Sequence, residues 1–242
     1  NDYTIDWGPI ALDTALTNSV NTWFAQLGED VGQDTMFETM QEFGFGSTPP
    51  IDLPNEGDES EVARSGLYTP EGGLLTKDDP VDVARVAIGQ ERLLVTPLQM
   101  AMVASAVANG GELMKPQIWS RVVDPDGRVV ESLDPSEYSE PIDGDTAADL
   151  TTAMEGVVEE GTGTNAEIPG VPVAGKTGTA ETPFNDSCGG GSDENQAWFI
   201  GFAPADDPQI AIAATVECTT QFGGDVAAPI FREVAEAILN SE

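Results

Sequence analysis

No histidine occurs among the 242 residues, and Lys and Arg number 9 against 43 Asp and Glu. The first absence excludes a Ser-His-Asp triad and any histidine-bearing metal centre. The second leaves a formal net charge of −34. Such a field repels phosphate backbones and anionic membranes, so it argues against a nucleic-acid partner. It reads as a solvated acidic surface suited to a salty medium, where counter-ions screen self-repulsion. The 2 cysteines cannot build a four-ligand structural zinc site. Carboxylates abound, yet no stretch carries EF-hand spacing, and Asp124-Pro125-Asp126-Gly127 reads as a turn. No metal or cofactor is expected. No apolar run approaches the roughly 18 residues of a bilayer span. With 40% hydrophobic residues, the chain is long enough for one sizeable domain or two small ones.

The patterning predicts an α+β fold. Leu12, Leu16, Val20, Phe24 and Leu27 recur at helical spacing and predict one helix over 12–27. A second, over 34–43, ends at Gly44, and the Pro-, Gly- and acid-rich stretch to about residue 79 reads as a long surface connection. Thr96-Pro97-Leu98-Gln99 starts another helix, with Thr96 as cap, Pro97 in the first turn and Gln99 closing a capping box. That helix stops at Gly110-Gly111, and its Met-rich face reads as core. Residues 117–124 and 128–132 read as strands about the Asp-Gly turn, and 146–160 as a helix stopped at Gly161. Val171–Glu181, Ala197–Ala203 and Ile210–Cys218 are β-rich and predict an antiparallel meander, with a helix at 226–240 packed on one face. The ends of the first and third runs then share an edge. A Cys188–Cys218 bridge is sterically reasonable there, worth about 3 kcal/mol by loop entropy. Two free thiols are the alternative.

Lys176 is one of three lysines and lies in the otherwise uncharged run Val173-Ala174-Gly175-Lys176-Thr177-Gly178-Thr179-Ala180. An ammonium in such a strand points to solvent or sits in a polar site. Gly175 and Gly178 permit close approach of another molecule, and Thr177 and Thr179 share a face by period two, offering hydroxyls to an anion. Alone, Lys-Thr-Gly describes an ordinary edge strand as well as a site. Ser19-Val20-Asn21, on the first helix or at its bend, is weaker still in isolation. The two together match two parts of the Ser-x-x-Lys, Ser-x-Asn, Lys-Thr-Gly set known from serine β-lactamases and penicillin-binding proteins.

The surrounding text extends the match. Thr17–Gly28 resembles the Ser-x-Asn segment of class B penicillin-binding proteins. Ile88-Gly89-Gln90, Val95–Ala101, Ala108–Gly111, Gly161-Thr162-Gly163, Ala174–Glu181, Trp198–Asp206 and Gly223–Phe231 are similar to further family stretches, in family order. The resemblance implies a partial serine transpeptidase/β-lactamase-like fold with helices on the last three strands of the family's antiparallel sheet. It implies a peptidoglycan D,D-transpeptidase acting on stem peptides through an acyl-serine, inhibited by β-lactams. Cell-wall synthesis proteins are the implied partners, and the implied location is extracytoplasmic, anchored by an N-terminal segment not in this chain. It also implies roles: Ser19 relays protons, Asn21 holds the substrate amide, and Lys176 raises the local positive potential. Thr177 and Thr179 bind the substrate carboxylate beside Gly178, and the Thr179 N–H forms half of an oxyanion hole. One motif is missing. Residues three before Lys77, Lys115 and Lys176 are Leu74, Glu112 and Val173, so no Ser-x-x-Lys occurs. The expectation is that residues 1–242 form the C-terminal part of one transpeptidase domain, with two strands and the nucleophile helix upstream of Asn1. The chain alone is then inactive and, lacking its partner surface, poorly stable or prone to associate. A serine β-lactamase and a non-catalytic binder of cell-wall peptides are the rival readings. All site roles require the Ser19 hydroxyl and Lys176 amine to converge.

Overall fold

The structure is a computed structural model describing residues 6–51, 62–181 and 195–241. It opens with helices α1 (Leu12–Thr17), α2 (Asn21–Val31) and α3 (Gln33–Glu42). Strand β1 (Gly66–Leu67), the short α4 (Val83–Val86), β2 (Leu93–Leu94) and α5 (Pro97–Ala108) follow. Next come β3 (Leu113–Met114), β4 (Arg121–Val123), β5 (Val129–Ser132), β6 (Glu137–Ser139) and α6 (Gly144–Glu159). A 3-10 turn at Thr164–Ala166 leads into β7 (Ala174–Glu181), β8 (Asn195–Ala203), β9 (Ile210–Thr219) and the closing helix α7 (Gly223–Leu239). Strands β7, β8 and β9 form an antiparallel sheet in sequence order, as the meander reading requires. The fold is α+β.

The sheet is covered on both faces. On one, Phe199 and Ala214 pack against Ala227, Ala228, Phe231 and Ala235 of α7, with the Phe199 and Phe231 rings 4.9 Å apart. On the other, Ala174 and Phe202 meet Val107 of α5 and Met154 of α6. Side chains along β7 therefore alternate between an α7 side and an α5–α6 side. Gly175 shows how tightly the first face is closed: a Cβ there would lie 2.3 Å from Cζ of the fully buried Phe199. Gly175→Ala must push that ring out of its packing. We expect a loss of about 2 kcal/mol, read as a lower urea midpoint, and an unchanged midpoint would show that the ring yields freely.

Four sequence expectations need correction. The helix over 12–27 is broken into α1 and α2 at Asn18-Ser19-Val20. The stretch 46–79 is not wholly surface, because Ser65 and Leu67 are buried. There Ser65 Oγ accepts from Thr96 N at 3.0 Å, and Gly66-Leu67 pairs with Leu93-Leu94. The capping box at α5 is half made. Thr96 Oγ1 accepts from Gln99 N at 3.1 Å, but the Gln99 amide turns inward, fully buried, and donates to the Phe43 carbonyl at 2.7 Å. That bond satisfies a carbonyl at the end of α3, a stronger demand in the interior than a cap at a solvated helix start. Helix α7 begins at Gly223, three residues before the expected start. The Cys188–Cys218 bridge falls on Cys188, outside the described residues.

Candidate active site

Ser19 owes its position to the break between α1 and α2. The end of α1 closes with Ser19 N donating to Leu16 O and Val20 N to Ala15 O, while Ser19 takes φ 52°. This is a Schellman cap with serine at the left-handed position that glycine normally fills. Ala15 and Val20, the two residues that the outer bond of the cap joins, are both buried. Asn18 adds a side-chain bond from Nδ2 to Thr14 O at 3.0 Å. The turn is docked on the end of α6, where Thr162 N donates to Thr17 O at 3.2 Å. A Cβ on Gly161 would lie 2.3 Å from that same Thr17 O. A non-glycine residue in this conformation costs on the order of 1 kcal/mol, and what the turn gains is a hydroxyl lifted off the helix surface. Asn21, the other member of the motif, opens α2 directly after it.

Lys176 lies on β7, an edge strand of the sheet among the described residues, opposite Ile200 of β8. Following the alternation of β7, its side chain leaves on the α5–α6 side, the side on which α1 packs through Leu16. Its Nζ donates to Ser19 Oγ at 2.9 Å and to Thr177 O at 2.9 Å. The convergence required of these two residues is thus present, across 157 positions of sequence. Burial strips water from the ammonium and lowers its pKa from 10.5 to about 8. The residue as a whole keeps intermediate exposure, so the dry part is the amine end.

Thr177 and Thr179 leave β7 on the opposite, α7 side, and each hydroxyl is held. Thr177 Oγ1 shares a hydrogen bond with Thr162 Oγ1 at 2.6 Å. Thr179 Oγ1 accepts from Gly223 N, at the start of α7, at 3.1 Å. Gly223 can be nothing larger, because a Cβ there would lie 2.2 Å from Trp198 O and 2.3 Å from Gly178 O. Gly178 itself packs against Trp198 across the sheet. The arrangement sets a hydrogen-bonded amine–hydroxyl pair, chemically able to exchange a proton, beside two oriented hydroxyls along a strand edge that is free among the described residues. Thr162, Gly223 and Gln90 are contributors to which motif reading gave no role. They stand in the family-like stretches Gly161-Thr162-Gly163, Gly223–Phe231 and Ile88-Gly89-Gln90, which was the signal available. Among the described residues no cluster of side chains could hold a metal ion, and no helix is long and apolar enough to cross a membrane.

The chain belongs to the family described as the penicillin binding protein transpeptidase domain, whose model matches residues 1–236. It is 40% identical over 219 residues to stage V sporulation protein D of Bacillus subtilis (strain 168), covering 88% of this chain and 31% of that protein. It is 34% identical over 237 residues to the peptidoglycan D,D-transpeptidase PbpA of Mycolicibacterium smegmatis, covering 96% of this chain and 45% of that protein. The penicillin G acyl-enzyme complex of penicillin-binding protein A from M. tuberculosis is similar with a TM-score of 0.80 and 33% identity. That match covers 97% of this chain and 50% of the solved one. The chain thus spans between about a third and a half of these relatives' length.

Proposed function

We propose that residues 1–242 are the C-terminal part of a peptidoglycan D,D-transpeptidase domain. The rest of that domain, including a nucleophilic serine activated by its own lysine, precedes Asn1 in this reading. The observation that carries it is the bond from Lys176 Nζ to Ser19 Oγ at 2.9 Å, made at the strand edge that also bears Thr177 and Thr179. In the reaction, the serine attacks the carbonyl of a D-Ala-D-Ala stem peptide and the terminal D-Ala leaves as an amine. Ser19 carries the proton between attacking hydroxyl and leaving nitrogen, and Lys176 keeps Ser19 in that bond while supplying positive potential. Thr177 and Thr179 hold the substrate carboxylate beside Gly178, Asn21 holds its amide, and the Thr179 N–H takes the developing oxyanion. The acyl group then passes to an amine of a neighbouring stem peptide.

Two surfaces suit a domain with further elements. Strand β9 has a free edge among the described residues, and α7 exposes Ile230, Val234 and Ile238 along one stripe, with Phe222 exposed at its N-cap. The reading places the protein outside the cytoplasmic membrane, with an anchor upstream, working beside other cell-wall synthesis proteins. It takes β-lactams as acylating inhibitors and needs no cofactor.

The test is intact mass after penicillin treatment of the upstream-extended protein, with the 242-residue chain alongside. A lasting adduct of one penicillin on the extended protein alone is expected. Rapid loss of the adduct with turnover of penicillin would favour a β-lactamase. Neither adduct nor hydrolysis would leave a non-catalytic binder of cell-wall peptides.

A further inference from the structure

Among the described residues strand β7 has one free side, and two of its outward carbonyls are nevertheless occupied. Thr177 O accepts from Lys176 Nζ, and Thr179 O accepts from Gln90 Nε2 at 3.3 Å. Gln90 comes from 89 positions earlier, in the turn that follows α4. In an antiparallel pair a residue's N–H and C=O point to the same side. The Thr179 N–H therefore faces the free edge with the carbonyl that Gln90 holds. A carbonyl carries two lone pairs, so this bond orients the residue without closing the edge to a ligand.

The turn bearing Gln90 is built to stay in place. Asp82 caps α4 by accepting from Arg85 N at 3.1 Å, and Gln90 N donates to Arg85 O at 3.0 Å. Glu91, next in the chain, adopts φ 67°, a conformation uncommon for a residue with a Cβ. Its carboxylate meets Arg92 Nε at 3.1 Å and Arg85 Nε at 3.7 Å. Arg92 Nη2 also donates to Pro80 O at 3.2 Å. Two of only 9 cationic residues are thus spent on one strained turn. Behind it, α4 lies so close to α2 that a Cβ on Gly28 would sit 2.5 Å from Ala87 Cβ. The α4 segment touches α2, which starts at Asn21, on one side, and reaches Thr179 through Gln90 on the other.

We propose that Gln90 is a positioning residue for acyl transfer, holding Thr179 so that its N–H is aimed at the developing oxyanion. The assignment rests on the function proposed above. A loosened donor weakens a bond that matters in the transition state more than in the bound ground state. Removing such a donor outright costs roughly 100- to 1000-fold, and loosening it costs less.

The experiment separates the non-covalent constant for penicillin from the acylation rate, by stopped flow on the upstream-extended protein and its Gln90→Ala and Gln90→Glu variants. Expected for Gln90→Ala is an acylation rate about tenfold lower, with the non-covalent constant within about twofold of wild type. Gln90→Glu keeps the shape but sets a carboxylate oxygen against the Thr179 carbonyl, so its rate falls further. A residue that only fills space gives the opposite order, with the isosteric glutamate near wild type and alanine impaired, and that order overturns the assignment. So does an acylation rate within about twofold of wild type in both variants, or a loss confined to the non-covalent constant. A wild-type protein that never acylates sinks the function itself and this assignment with it. A reactive wild type with equally reactive variants sinks the assignment alone.

Discussion

Exchanging Lys176 for methionine is expected to slow acylation of the upstream-extended protein by penicillin about a thousandfold, the middle of the range for a positioned proton-transfer partner. The same exchange is expected to make the protein more stable at pH 7. Both follow from one geometry. Nζ is held between Ser19 Oγ and Thr177 O, and its dry surroundings lower its pKa from 10.5 to about 8. At pH 7 the amine is charged in both folded and unfolded chains, so the folded state carries the full cost of burying the charge. A shift of that size corresponds to about 3 kcal/mol. Between pH 8 and 10.5 the unfolded chain binds a proton that the folded chain has released, so this group's contribution to stability rises with pH across that window. Methionine carries no charge to bury. The stability gap between variant and wild type should therefore be widest below pH 8 and narrow as pH approaches 10.5. Urea titrations at several pH values read this directly, and a gap that stays constant with pH would show that the amine is not desolvated. The wild-type acylation rate should fall as pH rises through about 8, because the ammonium supplies the positive potential. Retained acylation in Lys176→Met would remove Lys176 from the mechanism.

The same residues show what local pattern can and cannot convey. That Lys176, Thr177, Gly178 and Thr179 lie on one strand was legible because a strand's pattern is a local fact, whereas their reading as a site came from the family resemblance. The meander was legible for the same reason, and so was the Asp-Gly turn between β4 and β5, where Asp124 and Arg128 close the hairpin. The break at Ser19 was legible only as an alternative, a bend in one helix. The apolar spacing runs unbroken through Val20, and the left-handed cap carries serine where glycine would have announced it. Docking of Thr17 on the end of α6 helps to fix the break, and that contact joins residues far apart in sequence. Gln99 was misread for a related reason. Its local partner is a helix cap, but burial lets a distant carbonyl compete for the amide. Gln90 lay in a recognised stretch without a role, because its acceptor stands on a strand 89 positions away.

Raising KCl from about 0.1 M to about 1 M is expected to raise the melting temperature by about 20 °C. The chain carries a formal charge of −34, and among the described residues only Arg85, Arg92 and Arg128 enter ion pairs. Carboxylates therefore far outnumber the cations that could pair with them. Glu155 registers this locally: burial first, then the charges of Glu159 and Asp206, raise its pKa. Folding gathers the charge into a smaller volume than the unfolded chain occupies, so self-repulsion opposes the folded state. The Debye length falls from about 10 Å at 0.1 M to about 3 Å at 1 M, which removes on the order of 10 kcal/mol of that penalty. Melting a chain of this length has an entropy of about 0.5 kcal/mol/K, and the quotient is the expected shift. Circular dichroism melts in 0.1, 1 and 3 M KCl separate the causes, since screening is nearly complete by about 1 M whereas exclusion of salt from the protein surface keeps strengthening. A melting temperature that climbs mainly between 1 and 3 M would assign the effect to exclusion. One that does not move at all would mean that the acidic surface neutralises itself by protonation or bound cations, and that the charge read from the sequence is not the charge the folded protein carries.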